Sequence, residues 1–570
     1  MKDKKTILLI CAAGASTSLL AQKMKKGLHE DEQWIFEAKP ISELPLVVAK
    51  YDMILIAPQI GYDRRKIEEL AAPYEDIKIL DINPDAFASG KADAILDQIR
   101  LAVNGAAGCA TLKNDERGIE MSETAGKKTF MDKMSDWMQK YIVPIGMKIS
   151  NQRHLASIRD GLTVLIPATI IGGIAILIAV PPIPATITEL SNFFYAFLLA
   201  WKAFAAANAS VLMIPYYMTI GIIAVYVVCG VSYTLAKSYK MDGINNMIAS
   251  LLVYLCVSGA VDLETTSLKI GKLGAAYMFS AMLVAIITVE ITHFFEKRHI
   301  VIKLPDSVPP NVAAPFNVLL PLGFTVILML LVDAGLTAWT GAGFASLVYT
   351  IFQPLMRATG SLPSVLLINI LMTTFWFFGI HGANMLSVVT TPITTAALAA
   401  NAEAVVNGET LPYIYAGAMN SVFGNWITYN VILLVIFLWC KSNQARSIAK
   451  VAIVPSLFNI NEPSIFGLPT VLNVYTYIPL LLCGIINTTV YYLCAAANIV
   501  GRFYITLPFT VPGPLQAFLA TGDAKTIILW ALLFVVDIPI VYPFIKTYDK
   551  QLVEQEKENA EKQEAEKQAA

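Results

Sequence analysis

The stretch PFNVLLPLGFTVILMLLVDAGL, residues 315–336, carries a single charged side chain, Asp333. A mostly apolar run of about 18 residues or more is long enough to cross the hydrocarbon core of a bilayer as a helix. Comparable runs lie near residues 162–180, 211–236, 243–260, 273–295, 363–379, 421–440, 472–495 and 524–546, with a further membrane-associated stretch near 192–206. These runs predict a C-terminal all-α polytopic membrane domain of about ten spans.

The composition agrees with a membrane protein. Of the 570 residues, 56% are hydrophobic and 15% are charged, whereas soluble chains carry about 25% charged residues. The net charge of −1 gives no reason to expect a nucleic-acid partner. The seven cysteines form no CxxC pair and lie mostly in apolar runs, so we expect neither a metal site nor a cofactor.

Residues 1–104 show a different pattern, in which short runs rich in β-branched residues alternate with helical stretches. The predicted strands are KKTILLIC (4–11), WIFEAKP (34–40), YDMILIAP (51–58) and IKILDI (77–82), and helices are predicted after the first strand and near 43–49, 63–72 and 91–103. This alternation predicts a small α/β domain with a four-stranded parallel sheet covered on both faces. The basic start is followed by an apolar stretch too short for a signal peptide, so we expect this domain in the cytoplasm.

These patterns predict four regions with the boundaries 1–104, 105–140, 141–548 and 549–570. They are the α/β domain, a linker, the membrane domain and a charged, solvated tail. If both termini are cytoplasmic, the number of spans is even, which favours ten.

Three parts of the membrane domain, 380–420, 451–470 and 500–523, are interrupted by glycine, proline and polar residues. Irregular backbone at membrane depth is tolerated where it is buried in protein or lines a wet cavity. Interrupted apolar segments are also the best sequence indication of a transport site. We therefore expect re-entrant hairpins or broken helices here.

Cys11 stands between the first predicted strand and the first predicted helix. The loop that follows it consists of Ala12, Ala13, Gly14, Ala15, Ser16, Thr17 and Ser18. Small residues let backbone N–H groups turn inward, and with a helix N-terminus these groups form an anion site that also favours a reactive thiolate. Cys11 can therefore act as a nucleophile toward phosphorus. The alternative is an unreactive cysteine buried at the end of a strand.

Two related phosphate loops are excluded by spacing. A nucleotide-binding P-loop ends in Gly-Lys-Ser/Thr, and here the first lysine after Cys11 is Lys23, beyond the loop. A cysteine phosphatase loop needs an arginine where this chain has Thr17. Without a fixed cation, the loop should hold phosphate only moderately, which suits a carrier that passes the phosphate on.

The segment WFFGIHGAN, residues 376–384, places His381 between glycines at the end of an apolar run. The segment NINEPSIFGLP, residues 459–469, places Glu462 in an otherwise apolar stretch. Ionisable residues at membrane depth are costly and usually functional. The alternatives are a core histidine that bonds to nearby backbone, and a structural ion pair of Glu462 with Arg446 or Arg502.

Together these segments resemble one family. KKTILLICAAGASTSLLAQKM (4–24) and ILIAPQIGYDRRKIEEL (54–70) resemble enzyme IIB of the lactose/cellobiose (lactose–diacetylchitobiose) family of the bacterial phosphoenolpyruvate:sugar phosphotransferase system (PTS). The GIHG and NEP motifs, with SIRDGLTVLIPATIIGG (157–173) and KLPDSVPPNVAAPFNVLLPLGF (303–324), resemble its enzyme IIC permease. The chain is thereby identified as a member of the IIBC type.

The resemblance implies site residues in both domains. Cys11 would accept a phosphoryl group from a histidine of a separate enzyme IIA, with loop 12–18 supplying phosphate-binding amides. His381 and Glu462 would lie beside the sugar hydroxyl that is phosphorylated. Trp376, Asn384, Asn461 and Phe509 would bind the sugar. Two positions depart from the family pattern, since Ala15 stands for an expected methionine and Phe509 for an expected tryptophan.

We therefore expect a phosphotransferase in the bacterial plasma membrane that imports and phosphorylates a β-linked disaccharide. Glu462 is the candidate base, although His381 remains open for that task. The resemblance also implies a homodimer through the IIC domain. Two other functions are considered: a membrane sugar sensor that signals through the phosphorylation of IIB, and an ion-coupled transporter with an unrelated α/β domain.

Overall fold

The structure is a computed structural model of the full chain. It describes residues 5–11, 20–21, 23–25, 27–28, 32, 34–40, 44–57, 64–74, 77–82, 92–104, 148–181, 193–302, 310–468 and 473–569. The chain divides into two compact units. The first contains Met1–Asp136, Phe378–Ile380 and Glu462–Asn473, and the second contains the remainder.

The N-terminal domain contains the predicted four-stranded parallel sheet. Its strands are β1 (Lys5–Cys11), β2 (Trp34–Pro40), β3 (Met53–Ile56) and β4 (Lys78–Asp81), in the order β2-β1-β3-β4. The helices are α1 (Leu44–Val47), followed by a 3-10 turn at Val48–Lys50, α2 (Arg64–Ala71) and α3 (Ala92–Asn104). The α/β prediction is confirmed.

Side chains that alternate along β1 build a separate core on each face of the sheet. Ile7 and Leu9 pack with residues of α3 such as Ile95. Leu8 and Ile10 face the other way and pack in the core that contains Leu44, Ile67 and Ala71 of α1 and α2. Because a parallel sheet is covered by helices on both sides, its strands are apolar along their whole length. This explains why KTILLIC has no polar alternation.

The second unit is mostly helical. Its helices up to residue 297 are α4 (Arg153–Thr163), α5 (Ile166–Ala179), α6 (Phe193–Ala207), α7 (Ala209–Leu212), α8 (Ile214–Tyr217), α9 (Ile223–Ser238), α10 (Gly243–Val257) and α11 (Met278–Lys297). Short 3-10 turns lie at Ile220–Ile222, Ile270–Lys272 and Ala275–Tyr277, and a small antiparallel hairpin joins β5 (Val261–Asp262) to β6 (Ser267–Leu268). The hairpin is an exception to the all-α expectation.

The later helices are α12 (Pro310–Thr340), α13 (Phe344–Thr359), α14 (Leu362–Phe377), α15 (Gly382–Asn407), α16 (Met419–Val422), α17 (Asn425–Trp439), α18 (Asn443–Leu457), α19 (Glu462–Gly467), α20 (Val474–Ala496), α21 (Gly513–Thr521) and α22 (Lys525–Ala569). Among the described residues, seven helices are long and apolar enough to cross a membrane, or up to ten if each bent pair counts as one span. This range contains the ten predicted spans.

Two predicted details differ from the structure. Segment 380–420 was expected to be interrupted, and its main non-helical part is residues 408–418, whereas α15 runs without a break from Gly382 to Asn407 with Pro392 inside it. A proline removes one backbone hydrogen bond, and membrane helices tolerate this where neighbouring groups compensate. Helix α13, which meets α14 at a bend of 67°, was not predicted, because Pro354 and Arg357 lower the hydropathy of its sequence.

The other two interruptions are confirmed as breaks between helices. Helix α18 ends at Leu457, and the short α19 follows after four residues. Residues 497–512 separate α20 from α21. Irregular backbone therefore lies on both sides of α20, in the two segments that carry Asn461 and Phe509.

Candidate functional site

Cys11 is the last residue of β1, the second strand in the order β2-β1-β3-β4. The chain passes from β1 to β2 on one side and then to β3 on the other, so the carboxyl end of β1 lies at a topological switch point. Ligands of open parallel sheets bind at such points. The side chain of Cys11 and the predicted phosphate loop, residues 12–18, lie outside the described residues. The structure therefore gives the position of the strand end but not that of the thiol or the loop.

Arg64 is the arginine that begins α2, and it is engaged by carboxylates of the same domain. Its guanidinium donates to Glu68 at 2.8 Å and also to Asp81, at the end of β4. The hydrogen bond to Glu68, supported by Asp81, raises the pKa of Arg64. These two carboxylates already balance the charge of this cation.

The GIHG motif forms the junction between α14 and α15. Gly379 has φ of 77°, in the left-handed region that a side chain would disfavour. His381 caps α15, because its Nδ1 accepts the backbone N–H of Asn384 at 3.2 Å. Gly382 is required by close packing, since a Cβ there would lie 2.1 Å from the Met372 carbonyl oxygen. The two glycines therefore set the position of the imidazole between them.

The cap also determines which atom of His381 carries the proton. A neutral imidazole has one donor nitrogen and one acceptor nitrogen. Because Nδ1 accepts from Asn384, the neutral ring carries its proton on Nε2. The ring lies beside the indole of Trp376, with the two centroids 4.4 Å apart. The structure thus brings together three of the candidate sugar-site residues, Trp376, His381 and Asn384.

Two neighbours of this group, Thr374 and Tyr477, were not predicted. The Thr374 hydroxyl lies 3.0 Å from the Tyr477 hydroxyl. The Tyr477 ring contacts Phe377, with centroids 4.5 Å apart. These contacts fasten the last turn of α14 to the first turn of α20. The only sequence signal was a tyrosine near the start of an apolar run.

A second group forms where α18 ends. Asn459 has φ of 62°, a left-handed conformation that asparagine tolerates better than most residues. Its side-chain amide donates to the carbonyl oxygens of Phe509 and Val511 at 2.6 and 2.7 Å. The Asn461 side-chain oxygen accepts from the Ser456 hydroxyl at 2.6 Å. Asn459 thus ties the NEP segment to the segment before α21.

The predicted sugar residues of this second group differ in exposure. Phe509 is 62% exposed, whereas Asn461 is 6% exposed. Asn459 was not predicted to bridge the two segments, because its partners lie 50 and 52 residues further along the chain. The sequence signal available was the Asn-x-Asn pair itself.

Glu462 begins α19, and its side chain lies outside the described residues. It belongs to the first unit, whereas His381 belongs to the second. Arg502, one of the cations considered as its structural partner, donates to the carbonyl oxygens of Leu411 and Ala495. A role for Glu462 therefore remains a prediction.

Buried polar groups cross-link the helices around these segments. Asn369 of α14 donates to the Thr488 hydroxyl at 2.9 Å and to the Gly484 carbonyl at 3.2 Å, both on α20. Asp537 of α22 accepts from Thr428 and Asn487 at 2.9 and 3.0 Å. Such groups must be paired inside a membrane protein, because lipid offers them no partners.

A parallel α/β domain followed by long apolar helices with broken segments is the architecture of a two-domain polytopic membrane protein. The family model for the phosphotransferase system EIIC component matches residues 159–484, which is more than half of the chain. The model for the lactose/cellobiose-specific IIB subunit of the PTS matches residues 6–98. The chain belongs to the EIIC family and carries a IIB domain of the lactose/cellobiose type.

Known proteins agree with this assignment. The chain is 32% identical over 444 residues to the lactose-specific EIICB component of Staphylococcus epidermidis. The aligned residues make up 76% of this chain and 73% of that protein. It is 30% identical over 449 residues to the lichenan permease IIC component of Bacillus subtilis, covering 75% and 96% of the two chains.

A solved structure shows the same fold. The crystal structure of ChbC, the IIC component of an N,N'-diacetylchitobiose-specific system, superposes with a TM-score of 0.67 at 28% identity. It covers 74% of this chain and 99% of that one. The protein is therefore a PTS sugar transporter of the lactose/cellobiose family, with a sugar as substrate and a phosphorylated enzyme IIA as partner.

Proposed function

We propose that the protein imports a β-linked disaccharide of the cellobiose, diacetylchitobiose or lactose class and phosphorylates it from a phosphocysteine at Cys11. Relatives are named for lactose and lichenan, and the structural neighbour for diacetylchitobiose. The position of Cys11 at the switch point of the sheet supports a ligand site there.

The relay consists of two displacements at phosphorus. The Cys11 thiolate first attacks the phosphohistidine of enzyme IIA, so that an S–P bond forms and the N–P bond breaks. The sugar hydroxyl then attacks phosphocysteine, an O–P bond forms and the S–P bond breaks. The hydroxyl proton passes to a base, for which Glu462 is the candidate. The amides of loop 12–18 would hold the phosphoryl oxygens in both steps.

The observation that carries the proposal for the sugar site is the orientation of His381. Its Nδ1 is occupied by the Asn384 amide, and its ring lies against Trp376, a side chain suited to stack on a sugar face. The neutral ring therefore carries its proton on Nε2, and in this proposal that N–H donates to a sugar hydroxyl oxygen when sugar is bound. This favours His381 as the residue that orients the hydroxyl and leaves proton removal to Glu462.

The remaining predicted residues complete the site. Phe509 would contribute a second stacking surface, while Asn384 and Asn461 would contribute hydrogen bonds. The Asn461 side chain bonds to the Ser456 hydroxyl and to the Asn459 carbonyl, so a contribution to sugar binding would share the side chain with these bonds.

We further propose that the IIB domain and both termini face the cytoplasm and that the protein dimerises through its IIC domain. The proposed boundaries stay at 1–104, 105–140, 141–548 and 549–570. A tethered IIB domain would reach the permease at a high effective concentration. The charged product would then be unable to return through the apolar barrier.

The first experiment measures phosphoenolpyruvate-dependent phosphorylation of a disaccharide panel in membranes supplied with the general PTS proteins and a lactose-type enzyme IIA. The Cys11→Ser variant should lose the activity for every sugar, whereas Cys256→Ser, a cysteine on α10, should retain it. Phosphorylation that survives in Cys11→Ser would refute the phosphocysteine relay.

The same assay separates the alternatives. Sugar binding without phosphorylation of any sugar would favour the sensor. Uptake that needs no phosphoenolpyruvate would favour ion coupling.

A second experiment assigns the tasks of His381 and Glu462. In His381→Asn the side-chain oxygen can still cap α15, but the Nε2 donor is lost. His381→Gln instead supplies an amide donor near the Nε2 position. If His381 orients the hydroxyl, Gln should retain more activity than Asn, and Glu462→Gln should lose the most. The reverse order would make His381 the base.

A further inference from the structure

The last helix, α22, is 45 residues long, about twice the length that a membrane span requires. Its segment Lys546–Glu556, called the α22 extension below, is not simply solvated. Asp549 is 3% exposed, and Leu552 is buried as well. The extension contacts both helices that flank the NEP segment, α18 before it and α20 after it.

Two acids of the extension cap α18. Asp549 accepts the backbone N–H groups of Lys441 and Ser442 at 2.8 and 2.9 Å. Glu556 accepts the N–H groups of Asn443 and Gln444 at 3.2 and 2.9 Å. Negative charge at a helix N-terminus is stabilising, and these amides have no partner within their own helix.

Ser442 joins the two parts of this cap. Its hydroxyl donates to Glu556 at 2.7 Å and accepts the N–H of Ala445 at 3.1 Å. The first three amides of α18 are thereby all paired, two of them by a carboxylate on a different helix. Since a helix normally caps itself with a nearby residue, this long-range cap fixes α18 to the extension.

The extension also holds the neighbouring helix ends. Lys546 donates to the Trp439 carbonyl at the end of α17, at 2.8 Å. Gln551 donates to the Tyr475 hydroxyl at 3.1 Å, and Tyr548 stacks on the Tyr475 ring with centroids 6.0 Å apart. Tyr475 lies in the first turn of α20. The extension therefore fastens the chain on both sides of residues 458–473.

We propose that Glu556 and Asp549 are positioning residues for the sugar site, acting through α18. This inference rests on the proposed function, which places Asn461 and Glu462 at the sugar. Helix α18 is about 22 Å long, with the cap at one end and the Asn459–Asn461 turn at the other. Release of the cap lets α18 shift along its axis and moves the residues that bind sugar.

The test compares Glu556→Ala and Glu556→Gln with Glu554→Ala, which removes an exposed acid from the same helix. Hydrogen exchange of the intact protein in nanodiscs should show faster exchange at residues 458–461 in Glu556→Ala. The sugar KM should rise about fivefold, which corresponds to about 1 kcal/mol of lost sugar binding. The value of kcat should change little, the melting temperature should fall by a few degrees at most because one cap is lost, and Gln should recover part of both losses.

Faster exchange limited to residues 442–446, with an unchanged KM, would overturn the proposal, because the cap would then act locally. If Glu556→Ala does not fold, Glu556→Gln and Ser442→Ala are compared with Glu554→Ala in the same two measurements. The exchange measurement needs no sugar and no phosphate donor. If the Cys11 relay proves wrong, the exchange result is unaffected. Failure of the proposed function can therefore be distinguished from failure of this inference.

Discussion

The two units of the protein place polar side chains in opposite positions. In the N-terminal domain the two central strands, β1 and β3, are buried and largely apolar, and charged groups such as Arg64 and Asp81 lie at the exposed rim. In the helical unit Asn487 and Asp537 are fully buried, while Leu331 is 67% exposed. Water drives apolar side chains inward in the first unit, whereas lipid leaves polar groups no partner outside the second.

This difference shows how each unit holds the residues that we propose to take part in phosphoryl transfer. Cys11 ends a strand whose position is fixed by apolar packing on both faces. His381 is fixed instead by a hydrogen-bonded cap and close backbone approach. The sensitivity to mutation should therefore differ between the units, and four predictions test this, in order of decreasing effect.

The largest effect is expected from Gly382→Ala. The added Cβ would lie 2.1 Å from the Met372 carbonyl oxygen, so α14 and α15 must separate next to His381. We expect loss of sugar phosphorylation by more than about 100-fold, because a small misplacement of a binding group can cost that much. The measurement is the initial rate at saturating sugar.

Gly335→Ala on α12 is the matched control. A Cβ at Gly335 meets nothing within 4 Å, so this variant should keep its activity and gain slightly in helix propensity. Equal losses in the two variants would mean that glycine flexibility, rather than close approach, matters at position 382.

The second prediction makes the same change in both units. Leu8→Ala removes a side chain with no exposed surface from the core of the N-terminal domain, and should cost about 3 kcal/mol of its unfolding free energy. Leu331→Ala removes a mostly exposed side chain from α12 and should cost less than about 0.5 kcal/mol. Urea unfolding of the intact protein, followed by hydrogen exchange in each unit, measures both. Equal costs would contradict the proposed difference.

The third prediction tests a buried polar group. Asn369→Leu keeps the volume of the side chain but leaves Thr488 without its donor, and should cost about 2 kcal/mol. Asn430→Leu on α17 is the control. Among the described contacts, the Asn430 side chain donates only to the Trp426 carbonyl, which belongs to the same helix. The melting temperature should fall clearly for the first variant and little for the second. A stabilised Asn369→Leu would show that the network serves function rather than stability.

Much of this fold could be predicted from local sequence. The runs KTILLIC and MILI are strands because they are apolar and β-branched, and hydropathy located most of the spans. Helix α13 was missed because Pro354 and Arg357 made it look too polar. The interruption predicted in 380–420 lies at residues 408–418, outside α15, because a membrane helix can retain a proline such as Pro392.

The site could be predicted only in part. The motifs identified His381 and Asn461, since an ionisable or amide group in an apolar run is conspicuous. Local patterns gave no indication of the bonds from Asn459 to Phe509, or from Glu556 to the start of α18, because these partners are far apart in sequence. The tail looked solvated for the same reason: its buried side, with Asp549, is apparent only once α17 and α18 are in place.

The smallest effect is expected at a surface ion pair of the N-terminal domain. Arg100 of α3 donates to both oxygens of Glu32, at 2.7 and 3.0 Å, and to the exposed Asp97 at 2.8 Å. Glu32→Gln should cost about 1 kcal/mol and Asp97→Asn about 0.3 kcal/mol, because the second pair is exposed to solvent. Urea unfolding at low and high salt measures both.

The pair with Glu32 should also resist a rise in pH. The hydrogen bond to Glu32 raises the pKa of Arg100 above its ordinary value. A raised pKa in the folded state contributes stability that is fully present below the unfolded pKa of arginine, which lies far above pH 9. The cost of Glu32→Gln should therefore be the same at pH 7 and pH 9. A cost that matched that of Asn369→Leu would mean that the rim of this sheet is as sensitive to lost polar contacts as the buried bundle.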